Sequence, residues 1–333
     1  MHMSDALLSV AVGTTMNVVS TGTIGYSVSR IKKYEPEENK IPMMGVMGAF
    51  IFAAQMINFT IPVTGSSGHI GGGILLAALL GPFPAVITLA SVLLIQCLFF
   101  ADGGLLALGC NIFNMAIIPC LIAYPILYKR ILRSKLTPKR ITIATILSVI
   151  VGLQLGAFGV VLETLVSGVT ELPFGAFVVL MQPIHLAIGI VEGVVSAAVL
   201  CFIYRTRKDI LENALGVQNT PKLHMKRVYV GILIVAIFLG GFVSWFASSK
   251  PDGLEWAIQK VTNEEELTID SEVHNELQQI QNATALLPDY SVKSVKPIRE
   301  NVSTGLSGVI GGCITLFAVT AFGTIIMLIK KRK

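Results

Sequence analysis

The chain opens Met1-His2-Met3-Ser4-Asp5, and its first two residues together make a chelating group. The Met1 amine and the His2 backbone nitrogen can close a five-membered ring on a metal ion, and His2 Nδ1 can close a six-membered one. If the amide nitrogen gives up its proton, three nitrogens lie in one plane. Divalent nickel and copper favour planar nitrogen sites, and zinc does not. One more imidazole completes the square. His69 is the candidate, within Gly65-Ser66-Ser67-Gly68-His69-Ile70-Gly71-Gly72-Gly73. The glycines permit close approach of main chain, so the amino-terminal tail can fold in and bring Met1 and His2 to His69. Taken alone, a histidine at position two is weak evidence for a metal. A lone histidine in a membrane is more often a structural hydrogen-bond partner, and glycines at helix interfaces more often serve packing.

Other polar residues are read against that site. Gln55 and Asn58 stand three apart near the same loop, and are candidate outer partners that orient the imidazole or the tail. Glu192 follows His185 by seven residues, so both share one helix face. They serve either helix-to-helix bonding or metal passage. Asp102, Asn111 and Asn114 read as structural hydrogen-bonding residues, and His224 and His274 as solvated. Cys97, Cys110, Cys120, Cys201 and Cys313 have no paired spacing and read as small buried hydrophobes. There is no His-Glu-x-x-His pattern for a zinc enzyme and no Gly-Lys-Ser/Thr loop for a nucleotide. The chain is thus expected to be no enzyme and to carry no permanent cofactor.

The elements that must position these residues are membrane helices. Of 333 residues, 53% are hydrophobic and only 14% charged, with a mean hydropathy of +0.74. Soluble domains carry nearer a quarter charged. Apolar runs fall at about 6–29, 43–60, 68–81, 84–100, 105–128, 140–165, 174–204, 227–247 and 304–329, set against the roughly 20 residues a spanning helix needs. The third and fourth are short and are divided by Gly81-Pro82-Phe83-Pro84, which reads as a tight hairpin. Basic clusters at 30–33, 129–140, 205–208, 222–227 and 330–333 all fall on one face if there are nine spans. The long loop on the other face, about 249–303, holds ten acidic and five basic residues. This places the N-terminus outside and the C-terminus in the cytoplasm. It also accounts for the net charge of +5 without a nucleic-acid partner. No secretory leader is expected, so Met1 is read as the external amino end. The expected units are 1–205, a seven-helix metal-binding membrane unit; 206–226, a cytoplasmic linker; and 227–333, a two-helix hairpin around the acidic loop.

The segment from Phe50 to Met115 resembles the CbiM/NikM family, through FIFAAQM-N, the G-SGH-GG loop, the ADGG turn and ALG-N--NM. The likeness runs on to about residue 205, past Pro183-Ile184-His185. Pro251-Asp252-Gly253-Leu254-Glu255-Trp256 resembles the small NikN component; the bland alternative is an interfacial turn with Trp256 at the headgroups. The amino end departs from the usual MHI-P-D-G-LL but keeps His2, Asp5, Leu7 and Leu8. The resemblance implies that Met1, His2 and His69 supply the metal-binding nitrogens. It further implies the substrate-binding component of an energy-coupling-factor transporter, with a transmembrane coupling component and two cytoplasmic ATPase subunits as partners. The small-residue face of the first span, with Gly13, Ser20 and Gly25, is a candidate contact for that coupling component.

The expectation is an all-α integral membrane protein of the plasma membrane, a seven-helix unit plus a two-helix accessory unit. It takes Ni2+, or with less preference Co2+, as substrate. The alternatives are a passive metal channel and a cobalt uptake component serving cobalamin synthesis.

Overall fold

The computed structural model describes all residues except 35–39, 217–225, 265–266, 270, 293–299 and 332–333. His224 and part of the acidic run at 264–266 therefore lie outside the described residues. The chain is helical nearly throughout, and among the described residues six helices are long and apolar enough to cross a membrane. The first unit comprises α1 (Val10–Tyr34), α2 (Lys40–Gln55), α3 (Gly73–Leu80), α4 (Pro82–Phe100), α5 (Leu108–Leu132), α6 (Pro138–Ser167) and α7 (Phe174–Thr206). A short helix α8 (Lys208–Leu215) follows. The second unit contains α9 (Lys226–Gly241), α10 (Gly253–Thr262), α11 (Glu272–Thr284) and α12 (Glu300–Lys331).

Of the seven spans expected in the first unit, α4, α5, α6 and α7 are long and apolar enough to cross a membrane among the described residues; α2, with 16 residues, and α3, with eight, are shorter. Eight residues of α3 rise about 12 Å, well under the ~30 Å of a hydrocarbon core. One end of the segment lies at His69 beside Met1, and α3 packs on α8 at the other end of the bundle. The loop before α3 makes up the rest of the distance. All eight residues of α3 are buried, so protein and not lipid surrounds this irregular stretch, the condition under which it is tolerated at membrane depth. Gly81, at φ 89° and ψ 163°, turns the chain from α3 into α4, and Pro82 takes the first position of α4. Within α5, the wide turns of a π-helix run from Phe113 to Tyr128 and contain Pro119 and Pro125. Each proline removes an N–H and crowds the preceding turn. A Cβ on Gly73 would lie 2.7 Å from Pro119 Cγ, so α3 starts directly against that proline.

Lipid-facing surface is recognisable by its side chains. Val166, Val179, Phe202, Phe238 and Phe317 are exposed on α6, α7, α9 and α12; water would not tolerate so broad an apolar girdle. By contrast α2 is buried along nearly its whole length, enclosed by α4, α9 and α12. The two long helices of the second unit, α9 and α12, cross closely at glycines: a Cβ on Gly308 would lie 2.8 Å from Gly240 Cα. Small residues at such crossings let backbones meet in the absence of a hydrophobic drive.

Three expectations are corrected. The small-residue face of α1 is not free for a partner along its whole length. Gly13 packs on Leu106, and Ser20 Oγ donates to Gly109 O at 2.6 Å; only Gly22 and Gly25 face open space. His274 is buried, its Nε2 3.0 Å from Leu8 O, because α11 folds back onto the amino-terminal tail. Cys313 is exposed on α12, whereas Cys97, Cys110 and Cys120 are buried.

Candidate metal-binding site

The amino-terminal tail is built into the protein as a structural strand of the core. Met1, Met3, Leu7 and Leu8 are all buried. Asn111 grips Met3 from both sides: the Met3 N–H donates to Asn111 Oδ1 at 2.7 Å, and Asn111 Nδ2 donates to Met3 O at 3.1 Å. Gly104 N also donates to Met3 O, at 3.0 Å, and Ala107 N donates to Asp5 Oδ1 at 2.9 Å. The ADGG turn leaves room for this. Gly103 has φ 79°, and a Cβ there would lie 2.8 Å from Asn111 Nδ2 and 3.4 Å from His2 Cβ. The two buried apolar pairs and the hydrogen bonds between them fix the tail's register, so Met1 and His2 have defined positions.

His69 reaches the same place from another element. A two-residue ribbon, β1 (Phe59–Thr60) with β2 (Ser67–Gly68), pairs antiparallel with Phe59 opposite Gly68. The loop after it is held at the next two residues: Gly71 N and Gly72 N each donate to the Glu192 carboxylate at 2.9 Å. Gln55 Nε2 donates to Gly71 O at 3.0 Å. The result places the Met1 nitrogen 3.2 Å from His69 Nε2. The His2 and His69 rings stack, with centroids 5.2 Å apart and planes 19° from parallel.

Two carboxylates close the site. Asp252, at the start of α10, forms an ion pair with the Met1 nitrogen. Asp102, in the ADGG turn, lies 3.2 Å from His2 Nδ1 and accepts from Tyr290 Oη at 2.5 Å. His2 Nδ1 thus faces Asp102 in this arrangement, while the buried Nε2 has no partner. Closing a six-membered chelate ring requires the imidazole to turn about its Cβ–Cγ bond. Burial holds the His2 imidazole below its usual pKa, against the opposing pull of Asp102. Burial and then the neighbouring amine hold His69 well below. Both rings are therefore neutral near neutral pH, the form that binds a cation. Burial alone would raise the Asp252 pKa, but the charge of the adjacent amine holds it below the carboxylate range.

A small cavity of about 40 Å³ adjoins these groups, lined among others by Met1, His69, His185, Glu192 and Asp252. His185 Nδ1 is tied to Met181 O at 2.8 Å, and its buried Nε2 is unpartnered. Among the described residues, no three His, Cys, Asp or Glu side chains are grouped to hold a metal. The set expected from the sequence differs in kind, because two of its nitrogens belong to the main chain.

Of the sequence-derived site residues, Met1, His2 and His69 come together. Gln55 touches the loop two residues past His69. Asn58 is engaged through its main-chain oxygen, which accepts from Ser248 N at 2.8 Å. Asp252, Asn111 and Asp102 are the contributors that sequence reasoning undervalued. Trp256, considered above as a headgroup anchor, is partly buried and donates from Nε1 to Thr64 O at 2.9 Å.

Residues 2–210 match the family model described as the cobalt uptake substrate-specific transmembrane region, CbiM. The chain belongs to the CbiM family. Residues 226–328 of this CbiM family member match the PDGLE domain model, which covers the turn bearing Asp252. A putative fused nickel transport protein NikMN of Archaeoglobus fulgidus is 31% identical over 325 residues, 97% of this chain and 99% of the relative. A putative metal transport protein of Haloquadratum walsbyi is 34% identical over 63% of this chain and 93% of its own. The fused nickel transport protein NikMN of Rhodobacter capsulatus is 35% identical over 37% of this chain and 35% of its own. A crystal structure of a truncated transition metal transporter, 29% identical, superposes with a TM-score of 0.55 over 62% of this chain and 99% of that one. The chain is a multi-pass membrane protein and a metal transport component, not an enzyme.

Proposed function

We propose that the protein captures divalent nickel, in preference to cobalt, as the substrate-binding component of an ATP-driven energy-coupling-factor transporter. Its partners on this reading are a transmembrane coupling component and two cytoplasmic ATPase subunits, since the chain carries no nucleotide-binding loop of its own. The amino end lies outside the cell and the carboxyl end in the cytoplasm. Residues 1–205 form the metal unit, 206–226 the linker and 227–333 the accessory unit.

The observation that carries the reading is the approach of the Met1 nitrogen to His69 Nε2, 3.2 Å, beside the stacked His2 ring. Met1 and His2 offer nitrogens of one peptide, and His69 supplies one from across the bundle. A set of four nitrogens in a plane suits nickel and disfavours zinc. Two relatives, of Archaeoglobus fulgidus and Rhodobacter capsulatus, are printed as fused nickel transport proteins, which weighs for nickel over cobalt.

The test is a variant with two residues added before Met1. Such an extension removes the amine from the site and leaves every side chain in place. Equilibrium metal analysis, with nickel and cobalt in competition, is expected to show loss of both. Undiminished retention of either ion by the extended chain would sink the reading.

A further inference from the structure

We propose that Asp252, contributed by the accessory unit, is a positioning residue of the metal site: it holds the Met1 nitrogen against His69 and so makes the accessory unit part of the site. This rests on the reading that Met1, His2 and His69 bind the metal.

The two oxygens of Asp252 have separate partners. Oδ1 accepts from Leu254 N at 2.7 Å and from Glu255 N at 3.0 Å, capping α10. Glu255 Oε2 returns the bond by accepting from Asp252 N at 2.9 Å. Oδ2 takes the Met1 nitrogen. The cap fixes the carboxylate plane, and the plane aims Oδ2 at the amine. Coordination uses the lone pair of a nitrogen and leaves its N–H bonds free to donate. The amine can therefore bind a metal and keep Asp252, as a ligating imidazole keeps a carboxylate on its second nitrogen.

The turn bearing Asp252 is also fastened to the loop bearing His69. Ser67 N donates to Pro251 O at 2.8 Å, Ser67 Oγ donates to Lys250 O at 2.7 Å, and Trp256 Nε1 reaches Thr64 O. Gly253 lets the turn come this close: a Cβ there would lie 3.1 Å from His185 Cε1. Asp252 and His69 are thereby held in a single frame, and the Met1 nitrogen sits between them. Among the described residues, Asp252 is the carboxylate paired with the amine, while His69 meets it from the first unit.

The experiment uses the full chain with nickel alone as probe. Asp252→Asn keeps the helix cap, since Asn caps as well as Asp, but replaces Oδ2 by a donor that cannot accept from the amine. Asp252→Ser, also a capping residue, removes the contact without adding a donor. Glu255→Ala removes only the return bond from Asp252 N and keeps both main-chain donors to Oδ1, so the carboxylate plane and Oδ2 stay in place. Asp252→Asn and Asp252→Ser are expected to weaken nickel binding roughly 10- to 100-fold, the range for lost outer partners of metal ligands. They should also alter the visible absorption of bound planar nickel, with the thermal midpoint unchanged. Glu255→Ala is expected to bind nickel as the parent does, with that absorption intact. Parent-like affinity and spectrum in Asp252→Asn would overturn the assignment, as would parallel losses in Asp252→Asn and Glu255→Ala. Failure here leaves the amino-terminal extension test untouched: that variant reports on the metal site itself, these only on what holds it.

Discussion

Glu192, deep in α7, accepts from the main-chain nitrogens of two successive loop residues, of which Gly72 stands 120 positions away in the chain and only 2.9 Å away in space. The carboxylate is nearly fully buried and anchors the loop that presents His69. It acts on the site through the backbone and touches none of the proposed ligands.

Replacing that carboxylate should loosen the loop. Glu192→Gln keeps one acceptor oxygen and turns an NH2 group toward one of the two amides. Nickel affinity is expected to fall by roughly tenfold, the lower end for groups that orient ligands. A competition titration checks it, and an unchanged affinity would show that the loop keeps its shape without the double bond to Glu192.

The two histidines that line the cavity are expected to differ sharply. His69→Ala should reduce nickel affinity by more than about 100-fold, beyond the range of outer partners. His185→Ala should leave it near the parent value, because His185 Nδ1 already serves Met181 O. Equal losses in the two variants would move the fourth nitrogen to His185.

Asn111 is expected to link stability with binding. Asn111→Leu strips both bonds from Met3 and leaves its buried N–H without an acceptor, at a cost of about 1–3 kcal/mol. The tail must then be ordered when metal arrives, so affinity should drop together with the thermal midpoint. A lower midpoint with parent-like affinity would mean that the remaining tail contacts suffice.

Glycines in and beside α1 give a paired stability test. A Cβ at Gly109 would come within 2.5 Å of Asn17 Cα, where backbone cannot move aside, so Gly109→Val should destabilise by at least 1–3 kcal/mol, roughly the scale of overpacking. Gly25 meets nothing within 4 Å, and Gly25→Ala should be neutral or stabilising by up to about 1 kcal/mol. Thermal melts in detergent separate the two, and a similar response at both positions would contradict the packing described for α1 on α5.

The helical plan was legible because apolar length depends on short stretches of chain. The break at Gly81-Pro82 was legible for the same reason, since turn geometry is local. That α3 is only eight residues was harder to read: the loop before it is apolar enough to pass for helix, and only enclosure by neighbouring helices lets it stay irregular. Met1 and His2 announced themselves through small-molecule chelate chemistry. Asp252 did not, because an aspartate before a helix has a sufficient local explanation as its cap, and its second bond spans 251 positions. His274 was misjudged on the same ground: an acidic, polar surrounding sequence predicts solvent, and only the fold-back of α11 onto Leu8 buries it.

The amino-terminal tail is made long before the neighbours that enclose it. Met1 meets Asp252, and Leu8 meets His274, only after some three quarters of the polypeptide has been made. A chain interrupted before that point can insert its early helices and still lack the finished pocket. Assembly order thus couples readiness for cargo to completion of translation.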